Sequence, residues 1–360
     1  MELHGNSTSK SVERGETWKK TRVVFDVVNS VKGGSGKSTF SFLLASYHAS
    51  REHTKAYIID LDLRGTSWEK NYHLYLQREN DRFIYVNDLM RDFDAYQNQK
   101  FFLKLTAEYG GTVPECISFS LCMAKPSVTE EIDELKVDLF ENAIFRIIDR
   151  IYTDHSVHPD SRGEEQETIH IILDMPPSYE EHAERVLRRL FSDVESRLYR
   201  KVEKAHKEKK GKYFGFEPYQ VNLYMISAIS PAHIELNVSY IKNFIKKQVY
   251  SSAVSKLVED DRFQIRFIGN DVSLAIQTLG LTNSVVADRL KAYIKSEFDR
   301  ILINSLPVGD RVSFPVLDHL PLNSSKAFFD PLAEAGNGPV PLPPLAKDAV
   351  KEVVAGSFGE

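Results

Sequence analysis

Three glycines and two lysines stand in eight residues of the stretch FDVVNSVKGGSGKSTFSFLLA, residues 25–45. The run before them, RVVFDVV at 22–28, is apolar and β-branched, and the run after them has helical spacing. A loop between a strand and a helix N-terminus turns successive backbone N–H groups toward one point and makes an anion site. Gly33, Gly34 and Gly36 let the backbone close around phosphate oxygens without Cβ clashes, so the loop reads as a phosphate cradle. Lys37 is placed to reach the β- and γ-phosphates of a nucleotide, and the Ser38 hydroxyl to sit on Mg²⁺. The spacing G-x-x-x-x-G-K-[ST] is met only from Gly36 onward, because its first glycine falls at Val31.

Such a loop needs a sheet to hold it. β-Branched and aromatic runs at 22–28, 56–61, 116–122, 168–173, 221–227, 264–268 and 299–304, with a Pro-interrupted edge at 312–317, alternate with helical periodicity at 38–50, 129–152, 180–206, 231–248, 251–259 and 282–296. That alternation predicts an α/β fold, a mostly parallel twisted sheet with helices on both faces. The near-continuous apolar character of the central runs agrees with strands covered on both sides. We expect a polar N-terminal extension over 1–21, one domain over 22–335 with an enlarged 68–165 region, and a Pro/Gly linker with a short tail over 336–360. The aromatic-rich part of the enlarged region, NYHLYLQRENDRFIYVNDLMRDFDAYQNQKFFLKL, is expected to add helices that pack on the core, with recruitment of a partner as the alternative.

The extra lysine is informative. KGGSGKST (32–39) resembles the deviant Walker A motif, KGGxGK[ST], of the ParA/MinD family of P-loop ATPases. YIIDLDLRGTS (57–67) is similar to that family's second strand and switch segment, and IHIILDMPPS (169–178) to its Walker B element. The resemblance covers Arg22 to about Leu320 and implies a P-loop NTPase fold, ATP and Mg²⁺ as cofactors, and a homodimer in the ATP state. It implies that Lys32, Gly33, Gly34, Ser35, Gly36, Lys37, Ser38 and Thr39 hold the nucleotide, with Lys32 crossing a dimer interface to the partner's phosphates. It also implies that Asp62 orients the attacking water, and that Ser38, Asp60 and Asp174 serve the metal, the last from its outer shell. For Asp60 a purely structural strand-end role is an equal alternative. Leu63 and Arg64 depart from the family, where Pro and Gln are frequent. RILINSLP (300–307) is similar to a late strand whose asparagine reads adenine, which nominates Asn304, against the alternative of an ordinary turn asparagine.

What the switch acts on is less clearly written. Residues 185–212 carry eleven basic against four acidic residues, a net of +7, in a chain of net charge −5. Leu187, Leu190, Val194, Leu198 and Val202 recur at helical spacing, so a basic face bearing Arg185, Arg188, Arg189, Arg197, Arg200, Lys201 and Lys204 is left for nonspecific DNA. The reading is an ATP-switched partition or positioning ATPase, stimulated by a partner protein. The alternatives are a switch acting on a protein or membrane partner, and an enzyme spending ATP on chemistry. Composition, at 42% hydrophobic and 27% charged over 360 residues, fits a globular chain. No apolar run approaches the roughly 20 residues of a membrane helix, and the tail LAKDAVKEVVAGSFGE makes a poor anchor, so membrane binding is not expected and the cytoplasm is. Cys116 and Cys122, evenly spaced on one predicted strand, read as buried thiols rather than metal ligands. The ligand types in TDHSVHPD, including His155, read as a solvated loop.

Overall fold

The structure, a computed structural model, describes residues 21–65, 68, 83–96, 98–109, 115–125, 137–155, 167–177, 180–192, 216–228, 231–249, 257, 261–270, 285, 288–289, 292, 296, 312–313, 340–342 and 345–359. Its strands are β1 (Arg22–Asn29), β2 (Thr54–Asp60), β3 (Leu103–Tyr109), β4 (Glu115–Cys122), β5 (Thr168–Asp174), β6 (Gln220–Ala228), β7 (Phe263–Asn270), β8 (Val312–Ser313) and β9 (Val340–Leu342). Among the described residues they form one sheet in the order β8-β7-β6-β1-β5-β2-β4-β3-β9. Every neighbouring pair is parallel except β3 with β4. The expected α/β architecture is therefore the observed one.

The helices are α1 (Lys37–Ala49), α2 (Val86–Arg91), α3 (Phe93–Tyr96), α4 (Val137–Asp154), α5 (Glu181–Ser192), α6 (Pro231–Val249) and α7 (Leu345–Val354). Alternate strand residues serve opposite faces. Val23, Phe25 and Val27 of β1 pack with Phe140, Ile144 and Ile148 of α4 and with Val186 and Leu190 of α5. Val28 joins the other face with Phe40, Phe42 and Leu43 of α1 and Val350, Val353 and Val354 of α7. Two apolar layers thus clamp the sheet, and burying one such leucine or phenylalanine is worth about 1.5–3 kcal/mol.

Four expectations are corrected here. The last three residues of the stretch expected to add helices, Leu103, Lys104 and Leu105, open strand β3 (LKLTAEY) instead; its burial alternates, as suits a sheet edge. Residues within the expected linker form β9, which pairs with β3, and the tail beyond is helix α7, packed on α1. Of the two cysteines, Cys122 is buried and Cys116 is exposed, because the sheet face they share is covered only toward the C-terminal end of β4. His155 is paired as well: it bonds the Tyr57 hydroxyl at 2.7 Å and Glu167 at 3.0 Å.

At the end of the sheet away from the phosphate loop lies a buried polar cluster that the sequence reading did not anticipate. Asp26 of β1 accepts 2.6 Å and 2.8 Å hydrogen bonds from His170 of β5 and Asn222 of β6, and the His48 ring of α1 stacks on His170 at 3.4 Å between centroids. Asp26, His48 and His170 are metal-ligand types within 4.8 Å of one another. Their stacked rings lie 11° from parallel, however, so the in-plane lone pairs run side by side rather than converging on one ion. The tail closes the cluster: Asn222 exchanges bonds with Phe358, Arg51 donates to the Gly359 carbonyl at 2.6 Å, and Arg266 caps α7 through the Val353 and Ala355 carbonyls. Gly359 has φ +80°, and a Cβ there meets the His170 ring at 2.7 Å, so only glycine fits.

Burial, the neighbouring His170 and the nearby Arg51 cation push the His48 pKa well below its ordinary 6.5. A base whose folded pKa is depressed lets the folded state bind fewer protons than the unfolded chain, so its stabilising share is lost as pH falls below about 6.5. We expect wild type to lose about 1 kcal/mol more than His48→Phe between pH 6.5 and 5.5, as the unfolded imidazole goes from half to nearly fully protonated. Urea denaturation of both proteins at the two pH values checks this; equal losses refute it.

Candidate nucleotide site

Parallel strands deliver their C-terminal ends to one rim, and the loops leaving β1, β2 and β5 meet there. Chain order departs from spatial order at this point, since β5 lies between β1 and β2; such crevices are where open α/β sheets bind ligands. The glycine loop runs from Ser30 to Gly36. Gly34 and Gly36 take left-handed φ of 74° and 94°, and Gly36 is the N-cap of α1, so its backbone and not a side chain opens the helix. Gly33 and Gly34 are exposed, leaving the loop's concave backbone open.

Tethers invisible in the motif hold the loop. Asn237 of α6 accepts from the Val31 N–H at 2.9 Å, and Asn270, ending β7, donates to the Ser35 carbonyl at 3.0 Å. Ser30 Oγ braces both ends of Lys32, at 3.3 Å from its carbonyl and 3.4 Å from its N–H. Asparagines at the end of a strand and on a helix carry no distinctive spacing, so no sequence signal marked them.

Carboxylates surround Lys37. Asp60 and Asp174 end β2 and β5 in register with each other, and both are buried. Burial, then Asp174 and Asp62, hold the Asp60 pKa well above its ordinary value, against backbone N–H bonds from Asp62 and Ala124. Burial also raises Asp174, opposed by Lys37, by the Trp68 indole N–H and by the Ser38 and Ser41 hydroxyls. Lys37 is only 7% exposed; burial lowers its pKa while Asp174, Asp62 and Asp60 pull it back up. Three acids share one cation at this rim, a balance that suits a further divalent ion.

Asp62 begins the segment after β2. Its Oδ1 accepts the Arg64 N–H at 3.2 Å and the Gly65 N–H at 2.6 Å. A Cβ at Gly65 would sit 2.2 Å from the Asp62 carboxylate, so a larger residue there would push that carboxylate from its place. Burial raises the Asp62 pKa, which makes it a better proton acceptor than a solvated aspartate. Arg64, where the family pattern has glutamine, points to Glu180 at 3.7 Å.

Every loop residue named from the sequence, with Asp60, Asp62 and Asp174, thus belongs to one rim, and Lys32 stands exposed at its edge. Asn304 lies outside the described residues, as do Arg197, Arg200, Lys201 and Lys204. The other three arginines of the basic stripe each pair with an acid, and Arg188 among them stays exposed. Arg185 pairs with Asp138 at 2.7 Å and with Glu141, and Arg189 pairs with Glu141 at 2.9 Å and lies over the Phe145 ring. Arg188 pairs with Glu184 one turn back at 2.5 Å. Arg185 and Arg189 fasten α5 to α4.

The donors at the rim fit a hard, oxygen-preferring cation. Asp174 Oδ1 is buried and makes no hydrogen bond of ordinary geometry, although the hydroxyls of Ser38 and Ser41 on the first turns of α1 lie close enough to act on the carboxylate. No protein-family model matches the chain, and no curated protein does. Solved structures do. The chain is similar to pNOB8 ParA bound to nonspecific DNA, at 15% identity over 93% of this chain and 97% of that one, with a TM-score of 0.46. Aquifex aeolicus MinD, a cell division protein, matches at 13% identity over 94% and 98%, TM-score 0.44. A ParA family ATPase from Chlorobium tepidum matches at 12% over 92% and 97%, TM-score 0.41. Among the described residues, no helix is long and apolar enough to cross a membrane.

Proposed function

We propose that the chain is an ATP-hydrolysing switch of the ParA/MinD type, dimeric in its ATP state. The observation that carries this is the environment of Lys37: a buried ammonium at the start of a helix, under a loop with two left-handed glycines, facing the strand-end acids Asp60 and Asp174 and the neighbouring Asp62. Such a group has no apolar reason to be there and every reason to meet a polyphosphate and its metal. Lys37 neutralises the β- and γ-phosphates, Ser38 and Asp174 hold Mg²⁺, and Asp62 orients water. Mg²⁺ held by Ser38 and Asp174 would supply positive charge against the charge that develops on the phosphates.

The dimer reading rests on Lys32. It reaches solvent on the same loop whose Lys37 is buried, and its charge helps lower the pKa of His233 on α6. Leu236, on that helix and next to the loop-binding Asn237, is 48% exposed, an apolar neighbour suited to a partner surface. Nonspecific DNA remains the proposed track, carried by Arg197, Arg200, Lys201 and Lys204 rather than by the arginines that bind α4.

Asp62→Ala is expected to bind ATP, to hydrolyse it at least about 100-fold more slowly, the scale of a lost water-positioning base, and to persist as a dimer. Light scattering with Mg-ATP and with Mg-ADP checks this, repeated with a DNA duplex at low and moderate salt. Dimers with ATP alone that shift onto DNA and leave it as salt rises are the expected result. ATP dimers that ignore DNA redirect the proposal to a protein partner, and no nucleotide-dependent dimer at all returns it to an ATP-spending enzyme.

A further inference from the structure

Trp68 lies six residues beyond Asp62 and is only 2% exposed, its indole packed in the core layer formed with α1. A buried indole N–H needs an acceptor, and most find a carbonyl. This one donates to Asp174 Oδ2 at 2.7 Å. The partner is thus the carboxylate at the end of β5 that the nucleotide reading gives to the metal. One oxygen of Asp174 is taken by the indole, and the other, Oδ1, is buried without a hydrogen bond of its own near the hydroxyls of Ser38 and Ser41. A carboxylate fixed through one oxygen has little freedom to swing, and its second oxygen is left as an acceptor without a hydrogen bond of ordinary geometry.

We propose that Trp68 is a positioning residue for the divalent cation: its indole N–H sets the Asp174 carboxylate and ties the segment beyond Asp62 to the metal's arrival. The proposal rests on the reading of Ser38 and Asp174 as the cation's holders. Groups that orient a metal-serving carboxylate change metal affinity by about 10- to 100-fold when removed. They leave alone the contacts the nucleotide makes without metal. Trp68 therefore governs the Mg²⁺ dependence of nucleotide binding and not the metal-free affinity.

The test uses the full chain and a fluorescent N-methylanthraniloyl-ATP, titrated in EDTA and then over a range of Mg²⁺ concentrations. Trp68→Phe keeps an aromatic ring and removes only the N–H. The expected result is a metal-free affinity within about twofold of wild type and a Mg²⁺ half-saturation raised about tenfold. A Mg²⁺ dependence identical to wild type overturns the proposal while leaving the nucleotide site standing. A wild type that binds no nucleotide overturns that site, and the proposal with it. Should Trp68→Phe fail to fold, Trp18→Phe decides, because Trp68 is then the sole indole. A change in its emission when Mg²⁺ joins the nucleotide complex supports the coupling, and an unchanged spectrum refutes it.

Discussion

Lys37→Ala is expected to lower nucleotide affinity at least about 100-fold, because it removes charge-assisted hydrogen bonds worth roughly 1.5–3 kcal/mol each. The loss extends to the free protein. Lys37 is the cation that pulls the pKa of Asp62 and Asp174 downward. Without it those carboxyls rise further, so ionising them in the folded state costs more. The sign follows: a carboxyl whose folded pKa lies above its unfolded value loses stability as pH rises. The variant's melting temperature, measured without nucleotide, should therefore fall further below wild type at pH 8 than at pH 5. Calorimetric titration of ATP and thermal melts at the two pH values check both parts. An unchanged affinity would remove Lys37 from the phosphate site, and equal melting shifts would mean that the acids do not depend on it.

Lys32→Ala is expected to behave in the opposite way. The side chain is exposed, so stability should stay within about 0.5 kcal/mol of wild type. Nucleotide affinity of the isolated subunit is also expected to persist, since Lys37, Ser38 and the loop backbone are untouched. What disappears is the ATP-dependent dimer, and turnover with it falls on the order of 10³-fold, the scale of a cation supplied in trans to phosphoryl transfer. Sedimentation with Mg-ATP and a phosphate-release assay read the two effects. A variant that still dimerises with ATP would sink the proposed division of labour between the two lysines.

The site was legible where chemistry forces residue types into short spacings. A loop that closes on phosphate needs glycine at Gly34 and Gly36, and a strand ending at the rim shows as an apolar run closed by an acid, as at Asp60 and Asp174. Contacts made across long distances in sequence left no such mark. Asn237 and Asn270 brace the loop from α6 and β7, and Trp68 reaches Asp174 across 106 positions. Strand β9 is three residues beside a proline-rich run, and only its partner β3 makes it a strand. Strand β3 itself was readable, for LKLTAEY alternates with a period of two; the aromatics before it suggested helices instead. Asp26 also left a trace, as the one acid inside an apolar strand interior, but its partners on β5, β6 and α1 could not be read locally.

The way the tail closes the sheet bears on how the chain is made. Strand β9 pairs with β3 across more than 230 positions, and α7 rests on α1 across more than 300. Loops of that span close slowly, and a ribosome delivers the chain N-terminal end first. Until residues 340–359 have emerged, the β3 edge stays open, α1 lacks its cover, and the Asp26 cluster stands in water. The nucleotide loop, complete in sequence by Thr39, must therefore wait for a segment made about 300 residues later before the sheet beneath it is sealed.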